Sequence, residues 1–202
     1  MRKTLDEIYS EAVAVLRDGG LILYPTDTVW GIGCDATNPD AVAKVYALKR
    51  RDDAKALVLL ADSLDRVGRY VREIPDIAVQ LVDVNDRPMT IIYPGAIAGE
   101  KGKPGDRHFL AWNAVAEDGS VAIRVPMMEF CRQLVYKLGR PIVSTSANIS
   151  GQGSPRRHAE IDPEIISGVD YVVEPFLEKE SSGGASQILK VGLRGEIEII
   201  RQ

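Results

Sequence analysis

Residues 19–35 read GGLILYPTDTVWGIGCD, and the way this stretch divides decides the architecture. Gly19-Gly20 ends a segment, LILY (21–24) is apolar throughout and reads as a short strand, and the residues after it turn polar. Upstream, residues 4–18 form an amphipathic helix: Thr4 and Glu7 fit a capping box, and Leu5, Ile8, Ala12, Val15 and Leu16 make its stripe. Downstream, Asn38 and Pro39 open a second helix that turns Val42, Val45, Tyr46 and Leu48 inward and delivers Lys49, Arg50 and Arg51 at its C-terminal end. A buried strand between two helices is the repeating unit of a layered α/β domain.

The alternation continues. ALVLLA (56–61), MTIIY (89–93), FLAW (109–112), SVAIRVP (120–126), the start of PIVSTSANISG (141–151) and VDYVV (169–173) read as strands. Ser63, Pro75 and Asp162-Pro163 open helices, the first presenting Leu64, Val67 and Val71, and Glu129–Leu138 is a helix closed by Gly139. ASQILKV and EIEIIR flank GLRG as a closing hairpin. The expectation is a single α/β domain over residues 1–202, with a twisted, mixed, largely antiparallel sheet and flanking helices. Residues 94–106, rich in glycine and charge, read as an exposed loop and a candidate lid over a substrate.

Composition excludes several classes. The chain is 45% hydrophobic and 27% charged, enough for an ordinary globular core. No apolar run approaches the ~20 residues that span a bilayer, and the N-terminus lacks a signal-peptide core, so no membrane association is expected. Cys34 and Cys131 suit reduced thiols in a cytoplasmic protein. A net charge of −4 gives no global field for nucleic acid, so any anion site must be local.

Four polar clusters sit at the ends of apolar segments. Thr26-Asp27-Thr28 with Gly31 and Gly33 can bind a small polar ligand through hydroxyls and close backbone, or can simply be a polar turn before the Asn38 helix. Lys49, Arg50, Arg51 and Lys55 form a basic cluster whose helix-end cations complement the helix dipole, while Arg51 and Lys55, beyond the helix and before an apolar strand, are placed to face a polyphosphate. Ser144-Thr145-Ser146-Ala147-Asn148 at a strand's carboxyl end suits a nucleotide sugar or phosphate, or an Asn-containing turn. Arg124, inside an apolar strand, wants an anion, either a structural carboxylate or that of a substrate. Phosphate-binding glycine loops of the two common kinds, ligand-spaced histidines and a nucleophile elbow are all missing from the sequence.

Taken in order, GGLILYPTDTVWGIGCDA, a helix ending KRR, SVAIRVP and STSANISGQGSP resemble the YrdC-like, threonylcarbamoyl-AMP synthase family over nearly the whole chain. The resemblance implies an enzyme that joins L-threonine, bicarbonate and ATP into threonylcarbamoyl-AMP and pyrophosphate. It implies a partner threonylcarbamoyl transferase complex, possible contact with tRNA, and Mg²⁺ arriving on ATP rather than in a protein cage. By the same likeness Thr28, Arg124, Ser144 and Ser186 are threonine-side positions. Lys49, Arg51, Lys55, Ser120, Ser146, Asn148, Ser154 and Arg201 are nucleotide-side positions, with Lys49 and Arg51 the catalytic K-x-R pair.

Three departures from the family pattern stand out: NDRPMT (85–90) where a Trp-Pro-Gly form is common, RDDAKAL after the basic pair, and Leu60 where some members have histidine. The chain also matches the short form, with one catalytic-type domain. Two other functions remain compatible with the residues: a paralogue of the same fold with another carbamoyl or nucleotide substrate, and an RNA-binding module. The latter lacks an evident aromatic stacking platform.

Overall fold

The computed structural model describes residues 2–51 and 57–202. Helix α1 (Leu5–Arg17) starts at Thr4, whose hydroxyl accepts from the Glu7 amide while the Glu7 carboxylate accepts from the Thr4 amide. Strand β1 (Ile22–Pro25) turns at Thr26–Val29 and returns as β2 (Trp30–Gly33). The polar tip of the opening stretch is therefore a hairpin, and its glycines are strand residues. At Gly33 a Cβ would sit 2.7 Å from the Tyr24 ring, so glycine is required there by packing rather than by a ligand.

Helix α2 (Pro39–Lys49) is capped by the Asn38 side chain. Then come β3 (Val58–Leu60), α3 (Leu64–Val67), α4 (Asp76–Val84), β4 (Met89–Tyr93), β5 (Val121–Arg124), α5 (Glu129–Leu138), β6 (Ile142–Ser146), α6 (Pro163–Ser167), β7 (Tyr171–Val172), β8 (Gln187–Val191) and β9 (Ile197–Arg201). Among the described residues the strands form a nine-stranded sheet ordered β7-β1-β2-β6-β3-β5-β4-β8-β9. Pairing is antiparallel except for β1 with β7, β3 with β5 and β4 with β8, so the mixed, largely antiparallel expectation holds.

Strand period 2 divides the core in two. Leu21, Leu23, Ile32, Leu59, Ile123 and Val143 join α2 and the segment around Tyr70 on one face. Ile22, Tyr24, Leu60 and Ile142 pack under α1 and α5 on the other, where Tyr9 stacks on Phe130 at 5.2 Å. LILY is apolar throughout because helices cover both faces.

Several details differ from expectation. Tyr9 and Val13 are buried on α1, while Leu5 is exposed and Val15 only partly covered, because α5 widens the buried face. FLAW is no strand: Leu110 makes a lone bridge to Ala98, and Trp112–Ala114 is a 3₁₀ turn held to α2 by Tyr46 Oη–H donating to the Asn113 carbonyl. Helix α3 ends at Val67, and Val71 instead bridges Ala96. Both cysteines are free and buried.

Candidate functional site

The α1/α5 layer covers only part of its sheet face, and the strands change character where the cover ends. Along β6, Ile142 lies under the helices while Ser144 and Ser146, on the same face, line an open cavity of about 270 Å³. Beside them Val58 and Arg124 line the same cavity from β3 and β5. The β1–β2 turn contributes Thr26 and Thr28, and the closing hairpin contributes Ser186, Ile188 and Arg201. Arg51 and Ser154 complete the polar wall. A larger groove of about 890 Å³ between α2 and residues 102–104 shares Arg51, but Thr28, Arg124, Ser144, Ser146, Ser154, Ser186 and Arg201 gather at the smaller cavity.

Hydrogen bonds fix what the hydroxyls offer. Thr26 Oγ1 donates to the Val29 carbonyl at 2.8 Å, so the 2.8 Å contact between the two threonine hydroxyls has Thr28 as donor. With its proton spent, Thr28 Oγ1 presents lone pairs, an acceptor for an ammonium or hydroxyl group. On the opposite wall Ser186 Oγ meets Thr90 Oγ1 at 2.9 Å, and Arg201 donates to the Ser186 carbonyl and hydroxyl. Pro88 accepts from the Gln187 amide, so the retained Pro88 and Thr90 of NDRPMT hold the start of β8 in place.

Charge in the cavity is arginine-dominated. Arg124 is 4% exposed, and its Nη2 lies 3.1 Å from Asp27 Oδ1. Asp27 Oδ2 accepts from the Met127 amide. Among the described residues Arg124 Nε has no hydrogen-bond partner. Burial, followed by the nearby Arg124 charge, lowers the Arg201 pKa, and burial lowers that of Arg51. Three guanidiniums facing so small a space favour a ligand with more than one anionic group.

The other predicted residues lie elsewhere. Lys49 is buried behind the wall, its Nζ donating to the carbonyls of Ser146 and, at 2.7 Å, Asn148. Asn148 Nδ2 donates to the carbonyls of Ile149 and Gln152. This pair shapes the turn that presents Ser146 and does not itself line the cavity. Ser120 donates to Asp118, whose pKa falls to about 2 through that bond and its pairing with Lys190, and it too lies off the cavity. Lys55 lies outside the described residues. Leu60 is packed in the α1/α5 core. Residues 94–106 contribute nothing to the cavity. They are tied to the body by Ile97 N–H donating to the Tyr70 carbonyl, and Gly105 packs against the cap of α2.

Sequence reasoning missed one pairing and, apart from Ser186, one segment. Asp27 is the partner of Arg124 across 97 positions, which local patterns do not reveal. Residues 181–186 close one side: Ser181 Oγ donates to the Thr26 carbonyl, and the Ser182 and Gly183 amides donate to the Asp27 and Thr28 carbonyls. SSGG precedes the strand read at ASQILKV, and its serines and glycines were the available signal.

Lys49 yields a pH signature. Burial, followed by the Arg51 charge, brings its amine down from 10.5 to about 8. The unfolded chain therefore holds the extra proton between those values, and stability rises with pH across that window. Urea midpoints at about pH 7.5 and 9.5 should differ by a positive increment that Lys49→Met lacks. The same increment in both proteins would contradict the assignment.

Comparison with known proteins adds the following. The family model for Sua5/YciO/YrdC, described as Telomere recombination, matches residues 14–202. The threonylcarbamoyl-AMP synthase of Stenotrophomonas maltophilia is 34% identical over 168 residues, covering 81% of this chain and 83% of its own. The threonylcarbamoyl-AMP synthase of Pseudoalteromonas translucida is 31% identical over 188 residues, covering 92% and 94%. Among solved structures, P. abyssi Sua5 complexed with L-threonine superposes with a TM-score of 0.75 at 24% identity, over 95% of this chain and 52% of that one. That likeness shows the fold, and this chain spans about half the length of that protein.

Proposed function

The chain belongs to the Sua5/YciO/YrdC family, and from that membership we propose that it is a threonylcarbamoyl-AMP synthase, a nucleotidyltransferase acting in the cytoplasm. L-threonine and bicarbonate condense to a carbamate with loss of water. A carbamate oxygen then attacks the α-phosphorus of ATP and pyrophosphate leaves. Its relatives carry the same enzyme name at 31–34% identity. The observation that carries the reading in the structure is Arg124, a buried guanidinium with an unpartnered Nε, opposite the Thr28 acceptor. That pairing suits an amino acid held by its carboxylate at one end and by an N–H or O–H donor at the other.

Each wall then has a task. Arg124 takes the threonine carboxylate, sharing its charge with Asp27. The apolar patches of Val29, Val58 and Ile188 receive the threonine methyl. Arg51 and Arg201 face the phosphates, where charge grows on the oxygen leaving toward pyrophosphate. Lys49 and Asn148 hold the Ser146 turn in register and act as positioning residues. Among the described residues the wall offers hydroxyls and guanidiniums, and guanidiniums do not ligate cations, so Mg²⁺ would enter with ATP as part of the substrate. The product would pass to a transferase that modifies tRNA.

Pyrophosphate release from ATP and bicarbonate tests the proposal when threonine, serine, alanine and no amino acid are compared. Loss of one methyl from an apolar contact should make serine roughly 10- to 200-fold poorer in kcat/KM. Release independent of the amino acid, or none from a protein that binds ATP, would overturn the reading.

A further inference from the structure

At the other end of β6 lies a second cavity, of about 590 Å³, that the proposed reaction does not use. Arg140 lines it and Ser146 lines the catalytic cavity, six residues apart along a nearly extended segment, a separation of roughly 20 Å. Its wall draws guanidiniums from four parts of the chain: Arg17 ending α1, Arg66 and Arg69 in and after α3, Arg107, and Arg140 before β6, with His108 beside them. Among the described residues no carboxylate lines it.

The arrangement is built rather than incidental. Two of the five arginines are held from behind by acids. Arg66 donates to both Asp62 oxygens, and Arg140 pairs with Asp35, a 1% exposed carboxylate fixed in turn by Thr37. Arg66 also donates to the Gly139 carbonyl, and Arg17 to the Lys137 carbonyl at 3.2 Å. Tyr70 Oη–H donates to the Arg107 carbonyl, fixing the loop that carries Arg107 and His108. Among the described residues Arg17, Arg69 and Arg107 form no ion pair. Arg17 is accounted for by the helix end it caps. Arg107 Nε donates only to the neighbouring His108 Nε2 at 3.4 Å, and the charges of the exposed Arg69 and Arg107, on a chain whose net charge is −4, have no carboxylate among the described residues to answer them.

We propose that this cavity is a second anion site, separate from the catalytic one, that takes a chain of linked phosphates. A single carboxylate would leave most of the charge unanswered, whereas successive phosphates can each meet a guanidinium fork. The ligand is either a free oligophosphate or a stretch of nucleic-acid backbone, and the proposal does not depend on the synthase activity.

Tripolyphosphate and a short single-stranded RNA are titrated calorimetrically into wild type, Arg201→Glu, which reverses a charge facing the phosphates in the catalytic cavity, and the double variant Arg69→Glu/Arg107→Glu, with tricarballylate as a non-phosphate anion control. Both glutamates of the double variant replace exposed side chains without ion pairs, so the fold should be retained, which circular dichroism checks. The expected result is two sites in wild type, one weakened in Arg201→Glu and the other, which persists there, weakened ~10-fold or more in the double variant. Tripolyphosphate binding there identifies a free oligophosphate as sufficient, and RNA alone identifies the backbone. Binding unchanged in the double variant, tricarballylate binding as tightly, or no phosphate bound at physiological salt would overturn it.

Discussion

Replacing Arg124 with lysine is expected to raise the KM for threonine on the order of 100-fold while leaving kcat close to that of the native enzyme. The substrate carboxylate does not react, so its clamp contributes equally to ground and transition states, and its loss shows in KM. Lysine keeps the charge, which Asp27 at 3.1 Å requires, but it cannot present a planar fork to two carboxylates at once. Breaking a buried, charged hydrogen-bonded pair costs about 2–5 kcal/mol in binding, which brackets the stated factor. Alanine is the wrong probe, because it strands Asp27 at 4% exposure beside no cation and should destabilise the fold by about 3–5 kcal/mol. Steady-state kinetics with threonine as the varied substrate decides the matter. A fall in kcat with KM unchanged would place Arg124 in the chemical step instead.

The second large effect concerns stability. Trp30 is fully buried at the start of β2. Its indole N–H donates to Glu178 at 2.7 Å, and its ring meets His158 edge-on at 5.2 Å. Its backbone accepts from Ala147 and donates to the Pro155 carbonyl. Trp30 therefore ties the hairpin tip to the segments on both sides of Ser154 and to the turn before residues 181–186. Trp30→Ala should cost about 3–5 kcal/mol, the range for a large aromatic removed from a core. For a chain of this size that lowers the melting temperature by roughly 10 °C. Trp30→Phe, which keeps much of the volume but removes the donor, should cost less than half as much. Equal losses in the two variants, read by thermal unfolding, would mean that the Glu178 bond matters more than the packing.

Much of the fold could be read from local chemistry. The Thr4–Glu7 capping box, Asn38 before Pro39, and Gly139 after Leu138 mark helix ends that the structure places within a residue. These signals worked because each is made by neighbours in the chain. Strand β2 escaped because W-G-I-G has weak strand character of its own and exists through its ladder with β1 and β6. FLAW failed for the opposite reason: its composition suits a strand, yet no ladder partner lies beside it and the chain turns to pack on α2.

The site divides along the same line. Arg124 was legible as an arginine inside an apolar strand, and the hydroxyl runs were legible at their strand ends. Asp27 as its partner, and Lys49 as a buried anchor for two carbonyls, depend on approaches across 97 to 99 positions that no local pattern encodes. Residues 94–106, read as a candidate lid, border the groove beside α2 and not the smaller cavity. Glycine and charge were correctly read as exposure, but the segment that reaches the cavity is 181–186.

The most direct test of the synthase assignment follows the carbon. Protein, ATP and L-threonine are incubated with ¹³C-bicarbonate, and the nucleotide products are separated and weighed by mass spectrometry. The account predicts an adenylate carrying threonine and one ¹³C, formed in step with pyrophosphate and missing when threonine is left out. AMP and pyrophosphate appearing without label in any adenylate, or a labelled adenylate that forms without threonine, would contradict it.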